Sequence, residues 1–504
     1  MAQSRALRGL RRGVRLATMA GFLAPIACTV PAAPSGRAGL SRIDHIIVIY
    51  AENRSFDNLY GLFPGASGLA DATPAQYTQV DRDGRTLSHL PPVWKGNEPD
   101  PAFPRDLPNR PFRIDGPPIN LPLTERTRDL VHKYYQQQEQ IDGGRNDRFA
   151  EVSDAGAFTM GYYDGSKLPM WKWAQEYTLA DNFFMGAFGD SYLNHFWLIC
   201  ACTPADPAMP PAKRAQLEAN GWLKRAAGSP PSALDGPALF TAGEFTPDGY
   251  SVTNQQAAYQ PSRVPPDRGG DPRYAGMSGY TLPPQTMKTI GDTLSAKGIS
   301  WAWYAGGWDL ALKDGMQDPA AKRQVIYNNE PGSPYFVVHH QPFNYFARFA
   351  PGTADRAEHL KDYTDMVAAI DRGDLPQVAL YKPAGRFNEH PGNTDVMSGD
   401  IHISELVARI KASPIWSSSV IIVTYDENGG FWDHVAPPKA DRWGPGTRIP
   451  AIIISPFARR GYVDHTSYDT TSILKLITRR FDLEPLPGVR ANAGDLTAAF
   501  DFGG

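Results

Sequence analysis

Five short runs of apolar, mostly β-branched or aromatic residues constrain most strongly how this chain can fold. Such runs are typical of strands that are buried on both faces of a parallel or mixed sheet. The first run is followed by amphipathic segments and by four further runs spread over the rest of the chain. The runs are residues 43–50, 299–304, 378–381, 420–425 and 451–455.

Helices are predicted between these strands from the 3.6-residue spacing of apolar side chains. Strands that alternate with helices predict an α/β fold with a central mixed sheet flanked by helices. The predicted helices are residues 403–410, stopped by Pro414; residues 473–481, capped by Asp469 or Thr470; and residues 286–297, ended by Gly298.

Two proline-rich stretches do not follow this alternation. The chain has 47 glycines and 46 prolines among 504 residues, so long ordered loops are expected. We interpret residues 91–123 and 203–285 as insertions that leave the sheet and shape the mouth of a site. The predicted organisation is a linker at 34–42 and one catalytic domain over 43–504.

The first 33 residues have the pattern of an export signal. Five arginines precede an apolar run that ends in small residues, and Arg11 and Arg12 favour the twin-arginine route. An ordinary secretory signal, a lipoprotein signal at Cys28 and a membrane anchor are the alternatives. The protein is therefore expected to be exported to the periplasm or secreted.

Charge and cysteine content exclude several classes of protein. The net charge of −3 argues against a nucleic-acid-binding protein, which needs a basic surface. Three cysteines exclude a disulfide scaffold and a four-cysteine zinc site. Cys200 and Cys202, two residues apart in an apolar segment, are predicted to be buried free thiols rather than a strained bridge.

Polar side chains follow the predicted strands at their carboxyl ends, where open α/β sheets bind ligands. Glu52 and Asn53 follow the first strand, and Asp426 and Glu427 follow the strand at 420–425. Taken singly, such residues could cap helices. Together they form a set of hard oxygen donors that predicts one divalent cation: calcium, magnesium, manganese or zinc.

Ser191 lies in Gly-Asp-Ser ahead of an apolar run, which predicts the start of a helix. A helix N-terminus favours a phosphate group, and a nearby metal can activate a hydroxyl. Ser191 is therefore a candidate nucleophile, with simple helix capping as the alternative. His132, the His339–His340 pair and His390 could supply positive charge and a proton for a leaving group.

Several segments together resemble the bacterial phosphoesterase family that contains phospholipases C and respiratory-burst-inhibiting acid phosphatases. The resemblance covers about residues 43–483. It rests on an opening motif, a second signature and a C-terminal block. These are Glu52-Asn53-Arg54-Ser55-Phe56-Asp57; residues 425–434, Tyr-Asp-Glu-Asn-Gly-Gly-Phe-Trp-Asp-His; and residues 448–450, 455–456, 464–466 and 468–474.

The resemblance implies an alkaline-phosphatase-like α/β core with Ser191 as the nucleophile. It implies a metal bound through Glu52, Asn53, Asp426 and Glu427. It also implies that His132, His340 and His390 contact the phosphoryl group, and Asn194 and His339 are assigned to substrate binding. Which of His339 and His340 faces the site is left open.

Ser191 with Leu193-Asn194-His195 resembles the acid phosphatase branch, whereas the phospholipase C branch typically has threonine there. The resemblance thus predicts an acid phosphatase for phosphomonoesters that acts through a phosphoserine, with an acidic optimum. The alternative is a phospholipase C or another phosphodiesterase, with transient contact to phospholipid. Oligomeric state is not predicted.

Two other functions fit the residues less well. A serine acyl hydrolase using Ser191, His195 and an aspartate lacks the Gly-x-Ser-x-Gly elbow and leaves Glu52 and Asp426 unexplained. A catalytically silent binding protein would be expected to have lost its nucleophile.

Overall fold

The structure, a computed structural model, describes residues 39–503. Its centre is an eight-stranded sheet in the order β13-β6-β12-β11-β1-β10-β8-β9. In chain order, the strands are β1 (His45–Ala51), β2 (Trp94–Lys95), β3 (Glu98–Pro99), β4 (Phe112–Arg113), β5 (Gly161–Tyr162), β6 (Thr178–Ala180), β7 (Phe183–Phe184), β8 (Trp301–Ala305), β9 (Leu360–Asp362), β10 (Val378–Lys382), β11 (Ser419–Tyr425), β12 (Ala451–Ile454), β13 (Tyr462–Asp464) and β14 (Tyr468–Asp469).

Helices flank this sheet, and several begin with a side-chain cap. The helices are α1 (Phe56–Tyr60), α2 (Pro74–Tyr77), α3 (Tyr134–Ile141), α4 (Phe149–Val152), α5 (Pro169–Glu176), α6 (Ser191–Cys200), α7 (Ile290–Ala296), α8 (Trp308–Gly315), α9 (Ala354–His359), α10 (Tyr363–Arg372), α11 (Val396–Ala412) and α12 (Thr470–Phe481). Helix α6 packs against α12, and α5 packs against α11. Within residues 39–503, no helix combines the length and the apolar character that a membrane span requires.

The sheet is mixed because one strand runs against its neighbours. Strand β12 is antiparallel to β11 and to β6, whereas the other pairs in the sheet are parallel. Strands β1 and β11 are buried almost throughout, as the apolar runs predict. The predicted α/β class with a central mixed sheet flanked by helices is confirmed.

The register aligns the carboxyl ends of three central strands. Ala51 at the end of β1 lies opposite Tyr425 at the end of β11. Ile49 lies opposite Tyr381, so Lys382 at the end of β10 reaches the same edge. Residues that follow β1 and β11 therefore meet at one edge of the sheet.

The five predicted strands all form, but one predicted helix is too long. The helix expected over 286–297 begins at Ile290, after Thr289, whose side chain accepts from the Asp292 amide. Gln285 instead donates its backbone N–H to Tyr345 O at 2.8 Å, and this contact keeps the preceding chain out of the helix.

Two further sequence-based predictions need correction. Cys200 and Cys202 form a disulfide rather than two free thiols, because the chain turns at Ala201 with a φ of 46° and brings the sulfur atoms together. Leu40, in the segment predicted as a linker, is 1% exposed and belongs to the core. The predicted export signal at 1–33 lies outside the described residues.

The stretch 203–285 has little regular structure, since it forms a 3₁₀ turn at Pro211–Lys213 and isolated bridges. Charged contacts hold it to the body of the protein. Arg225 lies 2.7 Å from Glu139 Oε1 and 3.1 Å from Glu151 Oε2. Both carboxylates are buried, so this segment is anchored to α3 and α4.

Candidate active site

Charged side chains from three strand ends meet at the edge of the sheet. Glu52 follows β1, Lys382 ends β10, and Asp426 and Glu427 follow β11. All four are at most 1% exposed. The Asp426 amide donates to Ala51 O at 3.0 Å, which extends the strand pairing into the site.

Glu52 is held from several sides. Asn388 Nδ2 donates to its Oε2 at 2.6 Å. Its Oε1 lies 2.8 Å from Lys382 Nζ and 2.7 Å from His340 Nε2. Burial alone would raise the pKa of Glu52, but Lys382 and His340 hold that pKa well below its usual value. Glu52 is therefore an anion.

Lys382 also binds Asp426, with 3.0 Å from Nζ to Oδ2. Burial raises the pKa of Asp426 to about 7, because the opposing effect of Lys382 is offset by the nearby charge of Glu52. Burial likewise raises the pKa of Glu427 well above its usual value, with His132 acting in the opposite direction. Two buried carboxylates thus need a further cation to stay ionised.

Ser191 is the first residue of α6 and is 4% exposed. The carboxylate of Asp190 caps the helix by accepting from the Leu193 amide at 3.4 Å. The Ser191 hydroxyl donates to Asn53 Oδ1 at 3.3 Å and lies close enough to Asp426 to lower that group's pKa. The candidate nucleophile thus lies at the positive end of a helix dipole and beside the carboxylates.

Asn53 reaches Ser191 through an unusual backbone conformation. Its φ is 85°, in the left-handed region that non-glycine residues seldom adopt. Gly429 has a φ of 64°, and a Cβ there would lie 2.4 Å from Asn53 O. The glycine of the second signature therefore allows the two signature loops to touch.

His132 lies on the other side of Asn53, with 3.4 Å between its Nε2 and Asn53 Nδ2. Its Nε2 is also 3.6 Å from Glu427 Oε1. Burial lowers the pKa of His132, but the carboxylates of Glu427, Asp129 and Asp190 outweigh it and raise the pKa to about 9. His132 is therefore cationic at neutral pH.

The other predicted histidines lie in two places. His340 contacts Glu52, whereas the ring of His339 packs against that of His195 with centroids 5.3 Å apart. Both members of the pair are buried, and His340 is the one beside the carboxylate. His390 is half-buried and lies 5.7 Å from the His132 ring, so these two are the more accessible histidines.

The assignment of Asn194 to substrate binding is not supported by its contacts. Its Oδ1 accepts from the Ala187 amide at 2.9 Å, and its Nδ2 donates to Ala187 O at 3.1 Å and Asp190 O at 3.2 Å. The side chain is fully buried. Asn194 therefore holds the turn before Ser191, because its amide is already saturated by backbone groups.

Sequence reasoning missed Lys382 as a member of the site, and it placed Asn388 at the same edge of the sheet without giving it a role. Both follow the apolar run of β10, and a lysine directly after such a run is a usable signal, since a buried lysine needs carboxylate partners. His195 was considered only as the base of an acyl hydrolase. Its Nδ1 lies 2.6 Å from the backbone oxygen of Ser191, not from the hydroxyl, so the two do not form a nucleophile–base pair.

The donor set fits a divalent cation. Among the described residues, Glu427 Oε1 is buried without a hydrogen bond, and Glu52 Oε1 is paired with Lys382 and His340. Ligand atoms of Glu52, His195 and Asp426 lie within 4.8 Å of one another. Buried, unsatisfied carboxylate oxygens beside an amide oxygen are what a hard or borderline cation binds. The four predicted ligands, Glu52, Asn53, Asp426 and Glu427, could hold such an ion.

Comparison with known proteins gives a consistent set of relatives. A family model described as the phosphoesterase family matches residues 43–484. A non-hemolytic phospholipase C of Burkholderia pseudomallei is 25% identical and covers 94% of this chain, and the chain spans 61% of that protein's length. Phospholipase C B of Mycobacterium tuberculosis strain H37Rv is 24% identical. The match covers 92% of this chain and 78% of the length of that phospholipase.

Solved structures resemble this chain more distantly. A Vibrio parahaemolyticus protein in the alkaline phosphatase superfamily is 11% identical to this chain, with a TM-score of 0.32. The match covers 76% of this chain and 75% of the Vibrio chain.

Proposed function

The chain belongs to the phosphoesterase family, and from this premise we propose that it hydrolyses phosphate esters with Ser191 as the nucleophile. The observation that carries the proposal is the position of the Ser191 hydroxyl. It lies at the N-terminus of α6, 3.3 Å from Asn53 Oδ1 and beside the buried carboxylate of Asp426.

Glu52, Asn53, Asp426 and Glu427 would hold a divalent cation, which supplies Lewis-acid polarisation of the ester and a lowered pKa for a nearby hydroxyl. Asn53 Oδ1 accepts a hydrogen bond from the Ser191 hydroxyl and so orients the lone pairs of Ser191 Oγ. The cationic His132 and the dipole of α6 attract the negative phosphoryl oxygens.

The reaction has two steps. In the first, Ser191 Oγ, after losing its hydroxyl proton to water, forms a bond to phosphorus while the bond to the leaving oxygen breaks. His390, half-buried beside His132, donates a proton to that oxygen. In the second, water attacks phosphorus and gives a proton to His390, the bond from phosphorus to Ser191 Oγ breaks, and Oγ takes up a proton. The product is phosphate from a monoester and a phosphomonoester from a diester.

The charge of the site indicates the substrate's charge. Glu52, Asp426 and Glu427 face Lys382, the cationic His132 and the proposed divalent ion, and Asp190 and Asp129 add negative charge beside His132, so the site carries no more than about one net positive charge when the carboxylates are ionised. A singly charged phosphate ester matches this better than a dianion. Phosphodiesters are singly charged, and phosphomonoesters become so below a pKa of about 6.

We place phosphodiesters first, which reverses the order that the sequence suggests. The relatives are named phospholipases C, so a phospholipid head-group ester is the leading substrate class. The preference for monoesters depends partly on the motif that contains Asn194, and the Asn194 side chain is bonded to the backbone of the turn before Ser191. Monoester hydrolysis at acidic pH is the second candidate, supported by the charge argument.

We also propose that the insertion at 203–285 shapes the mouth of the site and that the protein is exported. Thr253 and Asn254 in this insertion donate to Asp190 Oδ2, next to Ser191. The export proposal rests on the arginine-rich pattern of residues 1–33.

The test is a parallel assay of the purified protein. p-Nitrophenyl phosphorylcholine and p-nitrophenyl phosphate are compared from pH 4 to 9, with and without a chelator, against Ser191→Ala. Faster cleavage of the choline diester supports the leading proposal, and faster cleavage of the monoester below pH 6 supports the second. Chelator-insensitive activity, or full activity in Ser191→Ala, contradicts both.

A further inference from the structure

Lys382 has an unusual position for a lysine. Its side chain is completely buried, and its Nζ lies 2.8 Å from Glu52 Oε1 and 3.0 Å from Asp426 Oδ2. The backbone oxygen of Ala51 is a third neighbour at 3.5 Å. The ammonium thus lies between carboxylates that follow two different strands, and 5.3 Å from the centroid of the Tyr50 ring.

The same two carboxylates belong to a group with the geometry of a metal site. Ligand atoms of Glu52, Asp426 and His195 lie within 4.8 Å of one another, and all three side chains are buried. Among the described residues, His195 Nε2 has no hydrogen-bond partner, while Nδ1 of the same ring lies 2.6 Å from Ser191 O and 3.9 Å from Asp426 Oδ2. One imidazole nitrogen with two carboxylate oxygens is a donor set that Zn²⁺ accepts.

We infer that the Lys382 ammonium occupies a latent divalent-metal position formed by Glu52, His195 and Asp426, and keeps a second ion out of the site. The tethered charge lies within hydrogen-bonding distance of both carboxylates that would bind that ion. The first ion is held through the remaining oxygens of the ligand set, but a second dication cannot bind Glu52 Oε1 and Asp426 Oδ2 while the ammonium is bonded to both, because like charges at such short range repel strongly in a buried site.

Removal of the ammonium should expose the position. Glu52 and Asp426 would then be two buried carboxylates without a cation, which is a costly arrangement. A divalent ion would relieve it, and carboxylates can be shared between two metals about 4 Å apart. The inference rests on the proposed function only for the first ion, held with Asn53 and Glu427.

The experiment counts zinc in the full protein and in variants. Metal-free protein is titrated with Zn²⁺ and the bound metal is measured by calorimetry and by elemental analysis. Lys382→Ala is expected to bind about one zinc more per chain than the wild type. Lys382→Arg, which keeps the charge, is expected to match the wild type. His195→Asn in the Lys382→Ala background should abolish the gain.

The measured quantity is the difference in bound zinc between variants. It therefore distinguishes a failure of the proposed metal dependence from a failure of the inference about Lys382. A wild type that binds no metal contradicts the proposed metal dependence, while the gain in Lys382→Ala still decides the inference. A wild-type zinc count in both Lys382→Ala and Lys382→Gln overturns the inference, as does a gain that survives His195→Asn. If Lys382→Ala does not fold, Lys382→Gln, which retains more bulk, gives the same comparison.

Discussion

The guanidinium of Arg448 donates to Asp57 Oδ1 at 3.0 Å, and neither residue is more than 1% exposed. The contact joins the opening motif to the C-terminal block. Arg448 Nε also donates to Asp433 Oδ1 at 3.0 Å, in the second signature. One buried arginine therefore links all three segments on which the family resemblance rests.

Replacement of Arg448 should cost much of the protein's stability. Arg448→Met leaves Asp433 buried without its cation and Asp57 with His434 alone, and it removes donors 2.8 Å from Ser67 O and Asp181 O. Breaking such a buried network costs about 3–5 kcal/mol. Urea unfolding should show this loss. Arg372→Met, at an exposed pair with Asp374, should change the free energy of unfolding by less than about 1 kcal/mol. Equal effects of the two changes would refute the argument.

Ser191→Ala should lower turnover by at least about 1,000-fold, because the attacking oxygen is lost. The fold should persist, since Asp190 rather than Ser191 caps α6. Steady-state kinetics and a thermal melt measure the two effects. Ser88→Ala, on an exposed loop, is the matched control. Near-wild-type turnover of Ser191→Ala would mean that another group is the nucleophile.

Asp426→Asn should lose the bound divalent ion and the activity together. The substitution keeps the shape but removes a charge that faces the other ligands. Elemental analysis after dialysis should show less than half of the wild-type metal content, and Asp371→Asn at the surface should show none of this loss. Full metal content in Asp426→Asn would exclude this residue from the ligand set.

Asn194→Ala should destabilise the protein rather than weaken substrate binding. It leaves the buried N–H and C=O of Ala187 without partners, and each such loss costs about 1–3 kcal/mol. Denaturant unfolding and the separate values of kcat and KM distinguish the two roles. A raised KM with unchanged stability would restore Asn194 to the substrate site.

His402 should make the protein sensitive to acid. Its Nε2 lies 2.7 Å from Tyr381 Oη, and burial lowers the pKa of His402 from 6.5 to about 4. Between these values the unfolded chain binds a proton that the folded protein excludes, so the free energy of unfolding falls as pH decreases from about 6.5 to about 4. His402→Gln should reduce that slope in urea unfolding at several pH values. An unchanged slope would show that His402 does not contribute.

Local patterns predicted most of the sheet and helices. Each apolar run became a strand because its side chains can be buried on both faces only in the centre of a sheet. The helix predicted at 286–297 was too long at its start because Gln285 pairs with Tyr345, 60 residues later. The local sequence gives no sign of this pairing. The disulfide of Cys200 and Cys202 depends on the left-handed turn at Ala201, which the sequence does not reveal.

The sequence by itself determined that Glu52, Asn53, Asp426 and Glu427 meet, because each pair directly follows a buried strand and parallel strands end at one edge. It also determined that Ser191 begins a helix, through the cap at Asp190.

Only the tertiary structure decided what lies between those carboxylates and which polar groups remain available. Lys382 reaches Asp426 across 44 residues, and its neutralising role depends on the pairing of β10 with β1. The side-chain amide of Asn194 makes its hydrogen bonds with the backbone N–H and C=O of Ala187. Side-chain pairing of this kind follows from distances and desolvation in the folded chain, which residue types and spacing do not specify.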